Sequence, residues 1–182
     1  DPGQQALREA IARFLDVEAE NILAGTGADD LLDILIRLVM PKAIAIPTPT
    51  FGMYRFLAKI SRAKPIEVSR RPNFDLDVVA LKHAVQAGAG IVFLTSPNNP
   101  TGNYLPGAQV KAFLQAVPKD VIVVLDEAYN EYLPPADRVD TLAWVNEFSN
   151  LVVTRTFSKI HGLAGLRVGY GVTTAEIADL MH

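Results

Sequence analysis

Cysteine is missing from all 182 residues, which excludes disulfides and thiolate metal sites. Histidine is scarce: His83, His161 and His182 lie far apart, without metal-ligand spacing, so no metal site is expected. No apolar run is long enough to cross a bilayer. There is no excess of positive charge. The 17 Lys and Arg stand against 20 Asp and Glu, a net charge of −3, which offers no electrostatic footprint for nucleic acid. No glycine-rich turn is followed by Gly-Lys-Ser/Thr, which removes the phosphate loop of nucleotide hydrolases. The first residues show no charged-then-apolar targeting pattern. This composition fits a cytoplasmic protein.

What is present is an ordinary globular composition, 49% hydrophobic and 20% charged, with length enough for one real core. Helical and strand patterns alternate. Gln5 to Phe14 carries apolar residues at a helical period, and Asp29 to Met40 reads as a buried helix. Helix is also expected over Phe51 to Ile60, Leu76 to Ala87, Pro106 to Val117, Leu142 to Phe148 and Ala175 to His182. Short apolar runs at Ala43 to Ile46, Ile66 to Val68, Ile91 to Leu94, Val121 to Leu125, Leu151 to Thr154 and Val168 to Val172 read as strands, the first ended by Pro47. Short apolar strands separated by helices imply an α/β three-layer sandwich, a mostly parallel sheet with helices on both faces. The chain starts at Asp1-Pro2-Gly3 without an initiator methionine and stops inside a helical pattern. An internal segment of a longer protein is the expectation.

In such sheets ligands sit at the carboxyl ends of strands. Polar clusters fall there: Ser96 to Asn99, Asp126 to Tyr129 and Thr156 to Lys159, each just past an apolar run. Lys159 stands among hydroxyl residues and Arg167 follows. A lysine amine can attack an aldehyde, and an arginine offers a planar charge to a phosphate. Pyridoxal phosphate fits that description.

Each remaining cluster has a plain structural alternative. Gly25-Thr26-Gly27-Ala28-Asp29 opens a helix whose free N–H groups suit a phosphate; a simple turn capped by Asp29 or Thr26 would look the same. Asn99, held between Pro97 and Pro100, could donate to a phenolate oxygen or form an Asx turn. Asp126 ends the strongest strand, and a buried acid needs a partner. That partner could be a pyridinium N–H, an Arg or Lys, or a metal shared with Glu127. Tyr129 could reach the same ring. Phe51 could lie on it, with Tyr54 a weaker choice for that role, and core packing is the alternative for both. His161 reads as packed or capping, His83 as a surface residue, and Tyr132 as packing or interface.

Five motifs in order resemble the fold-type I pyridoxal-phosphate aminotransferases of the class I/II branch. They are Gly25-Thr26-Gly27-Ala28-Asp29-Asp30, Pro49-Thr50-Phe51-Gly52-Met53-Tyr54, Ser96-Pro97-Asn98-Asn99-Pro100-Thr101-Gly102, Asp126-Glu127-Ala128-Tyr129, and Thr156-Phe157-Ser158-Lys159 with Gly165-Leu166-Arg167-Val168-Gly169-Tyr170. Within that branch the chain is most similar to the histidinol-phosphate aminotransferases, and the resemblance covers nearly all of it.

The resemblance implies a role for each matching position. Lys159 would carry the cofactor and move the substrate proton, and Asp126 would pair with the pyridine nitrogen. Asn99 and Tyr129 would hydrogen-bond the ring hydroxyl oxygen, and Phe51 would stack on the ring. The Ala28 and Asp29 N–H groups, with Thr156, Ser158 and Arg167, would hold the phosphate. It also implies transamination between L-histidinol phosphate and 2-oxoglutarate, in histidine biosynthesis, by a cytoplasmic homodimer. Residues 1–182 would then be the cofactor-binding large domain, lacking the family's N-terminal arm and its C-terminal small domain with the carboxylate-binding arginine. A pyridoxal-phosphate decarboxylase of a phosphorylated amino acid shares these motifs, and an inactive cofactor-binding fragment would keep them. The chain departs from the family at Ile160-His161 after the lysine and at Phe51, where tyrosine is frequent.

Overall fold

Seven short strands pair into one sheet, and the central ones, β4, β5 and β6, are apolar and largely β-branched, as buried strands favour. The structure, a computed structural model, describes residues 3–182. Helix α1 (Gln5–Leu15) leads to strand β1 (Ile22–Gly25), α2 (Ala28–Val39), β2 (Ala43–Thr48), α3 (Gly52–Ile60) and β3 (Lys64–Ser69). Then follow α4 (Val78–Gln86), β4 (Ala89–Thr95), α5 (Gly107–Ala116), β5 (Ile122–Asp126), β6 (Leu151–Thr156), β7 (Gly169–Val172) and α6 (Ala175–Met181). The sheet order is β1-β7-β6-β5-β4-β2-β3. Neighbours from β6 to β3 pair in parallel, and β7 runs antiparallel to β6 and β1.

Parallel neighbours need crossovers, and helices supply most of them. Helices α1, α4 and α5 cover one face, where Val92, Leu94, Val123 and Leu125 meet Leu81, Val110 and Phe113. Helices α2, α3 and α6 cover the other, where Ile91, Phe93 and Val124 meet Leu32, Leu35, Tyr54 and Met181. Alternate residues of β4 and β5 thus serve opposite cores, and each strand reads as a continuous apolar run. Each full burial of such a side chain contributes about 1.5–3 kcal/mol. At the β3 edge, Lys64, Glu67 and Ser69 are exposed, a polar rim that discourages edge pairing.

Three details differ from the sequence reading. Strand β2 continues through Pro47 to Thr48, because beyond Ala45 its ladder pairs with β3 alone. A proline is tolerated where no second ladder needs its missing N–H. Leu142 to Phe148 forms only a 3-10 turn at Ala143–Asn146. Asn150 soon ties the chain to the Pro118 and Val121 carbonyls and starts β6, leaving no length for a helix. Strand β1 was not expected; it forms by pairing with β7, far away in sequence.

Candidate active site

Strands β4, β5 and β6 are adjacent and parallel, so their carboxyl ends share one edge. Thr95, Asp126 and Thr154 stand in register across them. The polar segments beyond these positions line an open cleft. The start of α2, on the same face as α3, closes its side.

The floor of the cleft is acidic. Asp126 is buried, 5% exposed. Its Oδ1 accepts the Ala128 N–H at 3.0 Å, and its Oδ2 accepts the Tyr54 hydroxyl at 2.5 Å. No cation pairs with it among the described residues. Burial pushes its carboxyl above the ordinary range, and the bonds from Tyr54 and Ala128 oppose that rise. Tyr54 has no exposed surface. Its ring stacks on Phe93 at 4.2 Å, and Phe51 meets it edge-on at 5.6 Å.

The other end suits an anion. Gly27 is the N-cap of α2, with φ 93° and no side-chain cap, so the first-turn N–H groups remain available. The alternative, a turn capped by Asp29 or Thr26, does not form; instead Asp30 accepts the Thr26 N–H at 2.9 Å. A Cβ on Gly27 would lie 2.8 Å from Arg167 Nη2, so the guanidinium sits over this turn. A Cβ on Gly169 would overlap the Ala28 nitrogen and the Gly27 backbone. Strand β7 can back onto the start of α2 because position 169 has no side chain. Arg167 itself has φ 52° and is exposed. Asp29 is half-buried, and burial raises its carboxyl against the fields of Arg167 and Lys159.

Lys159 follows β6 on an exposed turn, with Nζ 5.4 Å from the centre of the Tyr129 ring. Thr156 accepts the Ser158 N–H at 3.1 Å, which shapes that turn. Asn98 builds the loop after β4: its amide donates to Thr101 Oγ1 at 2.8 Å and to the Pro49 carbonyl at 3.2 Å. Asn99 is left lining the cleft.

The ten residues expected to hold the cofactor all line this one cleft: Ala28, Asp29, Phe51, Asn99, Asp126, Tyr129, Thr156, Ser158, Lys159 and Arg167. Glu127 does not. It is held by Arg155 and by the Thr141 hydroxyl, so a metal shared with Asp126 has no second ligand. No group of metal-ligating side chains occurs among the described residues. His161 is exposed beside Phe157 rather than packed or capping, and His83 is exposed as expected. Tyr132 is 58% exposed next to Tyr129. Sequence reasoning missed Tyr54 as the partner of Asp126. The available signal was its place one helical turn beyond Phe51, and the rule that a buried tyrosine seeks a partner for its hydroxyl.

A lysine, a buried acid and an uncapped helix start meet at the carboxyl edge of parallel strands. They define an α/β domain of the kind that takes its ligand there. The chain belongs to the aminotransferase class I and II family, whose model matches residues 2–182. Among curated proteins it is 46% identical over 183 residues to histidinol-phosphate aminotransferase 1 of Dechloromonas aromatica, covering 100% of this chain and 50% of the relative. Histidinol-phosphate aminotransferase from Sinorhizobium meliloti, solved in complex with pyridoxal-5'-phosphate, is 33% identical with a TM-score of 0.90, covering 98% of this chain and 49% of that one. L-threonine-O-3-phosphate decarboxylase from Porphyromonas gingivalis shares the fold, with a TM-score of 0.85 at 22% identity over 100% of this chain and 53% of its own. The chain spans about half the length of the curated relatives it matches. No helix among the described residues is long and apolar enough to cross a membrane.

Proposed function

We propose that residues 1–182 form the pyridoxal-phosphate-binding large domain of an aminotransferase that moves an amino group between L-histidinol phosphate and 2-oxoglutarate. One observation carries this reading. Asp126 is a buried acid without a cationic partner among the described residues, in the same cleft as Lys159 and the open start of α2. A molecule with a protonated ring nitrogen at one end and a phosphate at the other matches both ends.

Bound there, the cofactor supplies electron withdrawal from the substrate α-carbon. The chain's residues do the rest. Lys159 would hold the cofactor, then take the proton from the substrate α-carbon and pass it to the cofactor's C4′, a positioned base contributing about 10²–10⁴-fold. Asp126 keeps a negative charge against the ring nitrogen. The N–H groups of Ala28 and Asp29, with Thr156, Ser158 and Arg167, bind the phosphate. Phe51 packs on the ring, and Asn99 and Tyr129 orient its hydroxyl oxygen. The reading carries with it a cytoplasmic homodimer with small-molecule substrates.

The decarboxylase alternative is supported by shared fold alone. Incubation with L-histidinol phosphate and 2-oxoglutarate tests the proposal. Glutamate formation supports it. Carbon dioxide release from a phosphorylated amino acid, without glutamate, replaces it. Cofactor binding with neither product leaves a binding fragment.

A further inference from the structure

One buried hydroxyl in the cleft has no part in that chemistry. Tyr54 lies on α3 with its ring fixed between Phe93 and Phe51. A phenylalanine would fill this space equally well. The hydroxyl is a buried polar group that costs stability unless bonded, and it reaches the carboxylate on the floor. Its oxygen lies 2.5 Å from Asp126 Oδ2 and 3.0 Å from Thr95 Oγ1. Its single proton goes to Asp126, so Thr95 donates to the phenol oxygen. The result is a directed chain, Thr95 to Tyr54 to Asp126. It joins the ends of β4 and β5 through a residue of α3.

Both donors to Asp126, the Tyr54 O–H and the Ala128 N–H, are neutral. Neutral donors favour the ionised carboxylate without cancelling its charge. A guanidinium in the same place would cancel it. The carboxylate is thus fixed in orientation, its ionised form is favoured against the effect of burial, and its negative charge is left to offer.

We propose that Tyr54 is the positioning residue of Asp126, fixing the orientation and ionisation of the carboxylate that faces the ring nitrogen of pyridoxal phosphate. The proposal rests on the cofactor reading above. The phenol is suited to the task, because burial and the neighbouring carboxylate push its own ionisation well above the ordinary range. It remains a donor. The charged group acting on Asp126 is Asp29 from α2, which opposes ionisation; Lys159 and Arg167, after β6, act on Asp29, and Arg70 couples to Tyr54.

Tyr54→Phe in the intact protein is the test, because it keeps the ring stack and deletes only the hydroxyl. In the cofactor-free protein, the carboxyl carbon signal of Asp126 is followed against pH by NMR. Loss of one hydrogen bond to an ionised group should raise its midpoint by about one unit or more. With pyridoxal phosphate labelled at the ring nitrogen, the nitrogen shift of the variant should move toward the unprotonated position. Turnover should fall about tenfold or more, with little change in KM. A parental carboxyl midpoint, or a parental nitrogen shift with parental turnover, overturns the proposal. The two readings fail separately. If the carboxyl midpoint rises as expected but the parent's ring nitrogen carries no proton, the Tyr54–Asp126 pairing stands and the cofactor reading falls. Tyr54→Leu, which also removes the stack, controls for packing. It should unfold at lower temperature than Tyr54→Phe, which keeps the ring and loses only the hydroxyl's bonds.

Discussion

Asp126 and Glu127 are neighbours in sequence, yet they serve opposite sides of the sheet. Asp126 joins Tyr54 under α3 and lines the cleft. Glu127 joins Arg155 and Thr141 on the side of α5. The period of a strand separates them, and burial treats them differently. Glu127 receives a cation; Asp126 does not.

Arg155 grips Glu127 Oε2 through Nε at 2.9 Å and Nη2 at 2.7 Å. Their side chains are 11% and 4% exposed. The pair ties the end of β5 to β6. Arg155→Ala should cost about 3–5 kcal/mol, because it strands a buried carboxylate. Replacing both partners by apolar residues, Glu127→Leu with Arg155→Met, should cost less than the single change. Urea denaturation of the two variants measures this. A double variant less stable than Arg155→Ala would contradict the argument.

Gly169 permits β7 to touch the start of α2. Gly169→Ala should destabilise the protein by about 1–3 kcal/mol through overpacking. It should also weaken pyridoxal phosphate binding, because the Gly27–Ala28 turn must shift. Denaturation and cofactor titration of the variant should therefore change together. Parental cofactor affinity in a destabilised Gly169→Ala would separate this contact from the anion site.

Arg167 is exposed, and its guanidinium sits against the Gly27 turn. Arg167→Ala should weaken cofactor affinity by about tenfold or more, the usual worth of a charge-assisted bond. Thermal unfolding of the cofactor-free protein should barely move. The opposite pattern, parental affinity with lost stability, would make Arg167 a structural residue.

Asp126 exchanges stability for readiness. Burial raises its folded-state pKa above the ordinary 3.8. In the cofactor-free protein the folded state therefore holds this proton more tightly than the unfolded chain does. Its contribution favours folding at low pH and is lost as pH rises from about 3.8 through the raised folded value. Asp29 and Glu127 are raised as well, so the difference between parent and Asp126→Asn isolates this one group. Asp126→Asn should be more stable than the parent above that window, while losing turnover. Parallel stability–pH curves for the two proteins would rule this out.

The chemistry-bearing segments were legible because parallel strands bring their carboxyl ends to one edge. Ser96 to Asn99, Asp126 to Tyr129 and Thr156 to Lys159 had only to follow adjacent strands. What stayed hidden depends on distant pairing. Strand β1 is four residues long, too short for a periodic signal, and exists through β7. The partnership of Tyr54 with Asp126 spans 72 positions and needs the packing of α3 on β4. Leu142 to Phe148 has helical spacing, but Asn150 ends the run before a helix can grow. The role of Gly169 was likewise out of reach, because what it touches is the backbone of Gly27 and Ala28.

The central claim is that Lys159 holds the cofactor. The protein is incubated with pyridoxal phosphate, treated with borohydride, digested and examined by mass spectrometry. A phosphopyridoxyl group on Lys159, absent from the Lys159→Ala variant, is the expected result. Modification of other lysines alone, or an equal yield in Lys159→Ala, would contradict the account.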